Sequence, residues 1–109
     1  MKTGPLAPDP NDGCPVTRCL SVIGGKWKPV ILFCIAGGVT RFGAMRRAIP
    51  SITKQMLTAQ LRELEADKAI TRTVFAEVPP RVEYALTERG QSLLPIVEAM
   101  REWGNAETV

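Results

Sequence analysis

The sequence predicts a mainly α-helical domain that carries one small β-hairpin. Three observations predict it. Apolar residues recur at helical spacing through most of the 109 residues. Two of the helical stretches are separated only by Pro50-Ser51-Ile52. Directly after Asp67 the period of the pattern falls to two and stays there until Leu86.

Met1 to Gly13 is rich in Pro, Gly, Asp and Asn and reads as a flexible arm ahead of a domain spanning 14–109. Val16, Leu20 and Ile23 then recur at i, i+4 and i+7, and Gly24-Gly25 stops that first helix. A second helix from about Trp27 to Ala36 is nearly all apolar after Pro29, which predicts a buried core helix ended by Gly37-Gly38. Thr40 to Phe42 reads as a short extended piece. Phe42, Met45 and Ile49 make a two-turn helix that Pro50 breaks. Thr53 is a good N-cap for the next helix, whose Leu57, Leu61 and Leu64 form one apolar line. Ile70 to Ala76 and Arg81 to Leu86 alternate as two strands around the stiff tip Val78-Pro79-Pro80. Thr87 caps a last helix, in which Pro95 should kink or loosen one turn. A helix-turn-helix followed at once by a hairpin is the winged helix-turn-helix plan.

Composition excludes several functions. The chain has no histidine, which removes Ser-His-Asp and Cys-His catalysis and every His-ligated metal site. Three cysteines without a CxxC pair are no disulfide framework, and no cofactor or metal is expected. The longest apolar run, Val30 to Val39, is about half the roughly 20 residues that a membrane span needs. The N-terminus lacks an apolar core, so it is not read as a secretory signal. The expectation is a cytoplasmic chain that is not an enzyme and has no membrane partner.

The net charge of +3 hides a pole. From Gly13 to Arg62 there are eight cations and no acid, while from Glu63 onward there are nine acids and five bases. Either a polyanion such as double-stranded DNA meets the cationic half, or the surface is merely solvated. The helix after Thr53 favours the first. At about 100° per residue, Leu61 and Leu64 lie within roughly 40° of Leu57 and mark the buried side. Lys54, Gln55, Thr58, Ala59 and Arg62 then form the open face, with no acid and no large apolar group. Gln pairs with adenine and Arg with guanine in bidentate fashion, and the Ala or Thr methyl meets thymine. In the hairpin, Arg81 is the cation near the tip. It either reaches a phosphate or minor groove or pairs across the strands with Glu77 or Glu83. Arg41, Arg46 and Arg47 are phosphate contacts or helix-surface charges.

These residues resemble the HxlR-type winged helix-turn-helix regulators of bacteria. The likeness rests on Cys14-Pro15-Val16, Ile23-Gly24-Gly25-Lys26-Trp27, Arg41-Phe42, Met56-Leu57-Thr58, Leu61-Arg62-Glu63-Leu64-Glu65, Val78 to Tyr84 and Leu86-Thr87, in this order. It covers Cys14 to about Gly104. The resemblance implies a homodimer that binds a roughly palindromic operator and regulates a nearby gene, repression being the expectation. It makes Thr53 to Asp67 the recognition helix and Glu77 to Arg81 the wing. Where the family usually has Gly just after that helix, this chain has Lys68, which leaves the helix boundary open.

The apolar surplus of the last helix (Leu93, Leu94, Ile96, Val97, Met100, Trp103) and of the first (Val16, Leu20, Ile23) matches such a dimer. The expected dimerisation segments are therefore 14–25 and 88–104. Some relatives resembling this sequence sense oxidants or electrophiles through the Cys at the position of Cys14. Pro15 makes Cys14 an N-cap, where the helix dipole favours the thiolate. Cys14 then either meets a small oxidant or electrophile as inducer, or merely caps and packs. Cys19 is badly placed to bridge it, and Cys34 lies in a core run.

Overall fold

The computed structural model describes residues 13–107. The expected arm falls, save for Gly13, outside the described residues. The element order is α1 (Pro15–Ile23), α2 (Lys28–Ala36), α3 (Phe42–Ala48), α4 (Lys54–Ala66), β1 (Ile70–Phe75), β2 (Arg81–Leu86), α5 (Glu88–Ser92) and α6 (Leu94–Glu107). The fold is a winged helix-turn-helix: α3 and α4 are joined by the turn over 49–53, and an antiparallel hairpin follows α4.

One core draws on α1 to α4 and the hairpin and extends to Leu93 ahead of α6. Ile23, Ile31, Leu32, Met45, Leu57, Leu61, Leu64 and Ile70 are its largest fully buried side chains. The turn between α3 and α4 is held by burial at both ends, because Ile49 and Ile52 both point inward. Lys28 is the buried charge of the described residues, and its ammonium sits 2.5 Å from Glu63, tying α2 to α4.

The start of α4 is fixed by chemistry written in the sequence. Thr53 holds extended backbone and its hydroxyl accepts the amide of Met56 at 3.1 Å, satisfying one of the helix's unpaired donors. Its end settles the question raised by Lys68. That residue adopts φ +62°. Its amide donates to the Glu65 carbonyl and the Ala69 amide to the Leu64 carbonyl, both at 2.9 Å. This is a Schellman cap, with Lys in the place that favours glycine.

The hairpin pairs Ile70 with Leu86, Arg72 with Tyr84 and Phe75 with Arg81. β1 ends at Phe75, one residue short of the alternation, and Thr87 starts the next helix by accepting the Gly90 amide at 3.0 Å. Gly90 is buried there because the backbone of Ala69 passes so close: a Cβ at Gly90 would lie 2.1 Å from the Ala69 oxygen.

Three local expectations are corrected. Thr40 to Phe42 is not a strand; a single bond from the Tyr84 amide to the Thr40 oxygen (2.9 Å) is its link to the sheet. Pro95 does not merely kink the last helix but divides it at Leu93 into α5 and α6, since Pro95 has no amide for Gln91 and its ring crowds that carbonyl. Finally, α2 is only half a core helix. Ile31, Leu32 and Ile35 are buried, while Val30 and Phe33 remain exposed.

Candidate nucleic-acid interface

The α4 helix presents the face that its sequence implies. Thr53, Lys54, Gln55, Ala59 and Arg62 are exposed, and Thr58 is half-buried. The Thr58 hydroxyl donates to the Lys54 carbonyl at 2.8 Å, which satisfies its hydrogen and leaves its methyl as the group it can offer outward. No acid interrupts this surface before Glu63, and Glu63 is drawn aside by Lys28. Met56 departs from expectation: it stands exposed beside this face as an apolar group. The cause is its angular position, roughly 100° from Leu57 and outside the buried line.

At the hairpin tip Arg81 is paired with Glu77 and Glu83. Its guanidinium donates to Glu77 at 2.8 Å, also binds Glu83, and lies over the Phe75 ring at 3.8 Å from the centroid. Hydrogen bonding to Glu77 first, and to Glu83 second, raises the Arg81 pKa further above its ordinary value. The same bond from Arg81 holds the Glu77 carboxyl below the usual carboxylate range. Arg41, exposed at the start of α3, reaches Glu83 at 3.5 Å. The four side chains form one alternating chain of charge, so the wing tip is not a lone cation. Val78 at its apex is fully exposed.

Between α4 and the hairpin lies an open cleft of ≈ 500 Å³. Phe42, Lys54, Thr58, Arg62, Arg72 and Tyr84 line it. Arg72 was not among the residues that the sequence pointed to. The period-two pattern carried the signal, because Arg72 lies opposite Tyr84 in register and the two must share a face.

Cys14 occupies the N-cap of α1 as expected, but it is buried, with 3% exposure. Hydrogen bonding from the Thr17 backbone lowers its pKa, with Arg18 adding a smaller electrostatic contribution. These are the consequences of a sulfur sitting at the positive end of a helix. Cys34, half-buried beside the core, has its thiol pushed up by burial. Cys14, Cys19 and Cys34 are all thiols.

Apolar groups remain uncovered at both ends of the domain. Val16 and Leu20 on α1 are 54% and 53% exposed, and Trp103 on α6 is 70% exposed. Ile96 and Met100 lie on the same outer side of α6. Among the described residues no single helix is long and apolar enough to cross a membrane.

Comparison with known proteins gives a consistent result. The model of the HxlR-like helix-turn-helix family matches residues 22–108. The HTH-type transcriptional regulator YybR of Bacillus subtilis (strain 168) is 55% identical over 95 residues, 87% of this chain and 76% of that protein. The structure of the redox regulator HypR in its oxidized form superposes with a TM-score of 0.84 at 53% identity, covering 88% of this chain and 99% of that one. The reduced form of the transcriptional regulator YodB from B. subtilis is more distant, with a TM-score of 0.73 at 32% identity over 87% of this chain and 94% of its own.

Proposed function

Because this chain belongs to the HxlR-like helix-turn-helix family of transcriptional regulators, we propose that it works as a homodimer that represses a gene by binding a pseudo-palindromic operator. The face of α4 is the observation that carries this reading. Lys54, Gln55, Ala59 and Arg62 are exposed without an acid among them, on a helix whose opposite side is locked into the core by Leu57, Leu61 and Leu64. Such a helix enters a major groove without repelling phosphates, and its Gln and Arg carry the donors and acceptors that distinguish bases. Thr53 caps the end that would enter. Arg41, Arg46 and Arg47 on and before α3 are exposed and take phosphates on one flank. Arg81 acts through the ion-pair chain, shaping the wing and adding weak affinity rather than reading bases.

The exposed apolar residues of α1 and α6 support the dimer, since a second copy would remove Leu20, Met100 and Trp103 from water. A two-fold axis then sets two α4 helices about 34 Å apart, one turn of DNA.

Regulation through Cys14 is part of the same reading. Its thiol, poised toward the thiolate at the start of α1, is the group that an oxidant or electrophile would attack, and the similar HypR is a redox regulator. Burial of Cys14 means that attack follows a local opening of the α1 N-terminus.

The test is selection of duplexes from a random pool, followed by measurement of variants on the selected site. Gln55→Ala and Arg62→Ala should each lose about 1–3 kcal/mol of operator binding and relax preference at one base pair. Unchanged affinity and preference in both variants would move the reading face elsewhere.

A further inference from the structure

We propose that Arg72 grips the DNA backbone strand that passes between the reading helix and the wing. The inference rests on the placement of α4 in a major groove. With α4 in that groove and the hairpin against the neighbouring minor groove, the phosphate strand dividing the two grooves must cross the cleft between these elements. In this chain that cleft has a cationic lining on both walls: Lys54 and Arg62 on α4, Arg72 on β1.

Position singles out Arg72. It faces Tyr84 in register, and Tyr84 is buried, so both side chains leave the hairpin on the side that turns toward α4. Ile70, two residues earlier on that side, is in the core, whereas Arg72 is exposed. It thus stands where the packed face ends and the cleft begins. Arg81, the other arginine of the hairpin, is engaged by Glu77 and Glu83. Arg72 has no acid within ion-pair distance among the described residues. Glu65 lines the same cleft without pairing with it. A guanidinium so placed can bind a phosphate through two parallel hydrogen bonds. Such a contact reads no base, so it strengthens binding to every duplex equally.

That last property makes the test independent of the operator. The full chain and its Arg72→Gln and Arg72→Lys variants are titrated with a random-sequence duplex by fluorescence anisotropy, between about 0.05 and 0.2 M salt. For Arg72→Gln the expected result is affinity weakened about tenfold at 0.1 M and a plot of log K against log salt that is shallower by about one. Arg72→Lys should keep the wild-type slope. An Arg72→Gln variant with the wild-type slope and affinity overturns the proposal while leaving the reading of α4 intact. So does a loss seen only on a selected sequence, which would make Arg72 a base reader. A wild-type chain indifferent to duplex DNA overturns the reading of α4 and this proposal together.

Discussion

Lys68 shows at the scale of one residue how much a local rule can and cannot decide. A helix that must end before Ile70 needs a left-handed residue after Asp67, and the sequence supplies Lys where Gly would fit at no steric cost. The two Schellman bonds hold it there. A left-handed Lys costs about 1–2 kcal/mol, and glycine's extra chain entropy returns about half of that. Lys68→Gly should therefore stabilise the domain by about 0.5–1 kcal/mol, seen as a higher urea midpoint at unchanged slope. A lower midpoint would mean that Lys68 makes a contact worth more than its backbone strain. Cys14 is the residue through which the proposed regulation would act. Its place at a helix N-terminus was legible from Pro15, whereas its burial was not, because that depends on packing between elements. Cys14→Ser should leave duplex affinity within a few-fold of wild type and abolish any release of DNA by diamide. Release from the Ser variant would take sensing away from Cys14. Arg81 teaches the same lesson: the sequence places Glu77 and Glu83 beside it, but side-chain geometry alone chooses pairing over exposure.

Among the elements, those defined by period and cap were readable before any coordinates. Thr53 and the Leu57-Leu61-Leu64 line specify α4 to within a residue. The change of period after Asp67 specifies the hairpin, and Val78-Pro79-Pro80 its turn. What was not readable depends on neighbours. The apolar run of α2 carries no information about which side is covered, so exposed Val30 and Phe33 went unforeseen. A lone proline within an apolar pattern leaves kink and break undistinguished, and Pro95 breaks. The join between α4 and α5 is one such packing. The Thr87 hydroxyl donates to the Lys68 carbonyl at 2.6 Å, and Gly90 rests on the Ala69 carbonyl. Gly90→Ala should cost about 2–3 kcal/mol of stability, because backbone rather than a flexible side chain would have to move. A variant with an unchanged urea midpoint would show that α5 shifts freely against α4, and that the wing is less firmly attached than these contacts imply.

At the scale of the molecule the two halves of the chain divide the work. In the proposed function the cation-rich first half and the α4 face would meet DNA, while the acid-bearing second half builds the wing and α6. The charge pole was visible in the sequence, but only the fold brings Lys54 and Arg62 of its cationic half together with Arg72 of the other half around one cleft. Apolar surplus at both chain ends was equally visible; the fold buries Ile23, Leu93 and Val97 of it and leaves Val16, Leu20, Ile96, Met100 and Trp103 uncovered. On the proposed function the protein would be a pair of reading heads joined by apolar helices, with one acid-free helix face per subunit in the groove. Dimethyl sulfate protection on a selected duplex tests this most directly, because it reports guanine N7 in the major groove. The prediction is two symmetric clusters of protected guanines with centres about 10–10.5 base pairs apart, with Arg62→Ala erasing the same position in each. Protection in a single cluster, or none in the major groove, would contradict it.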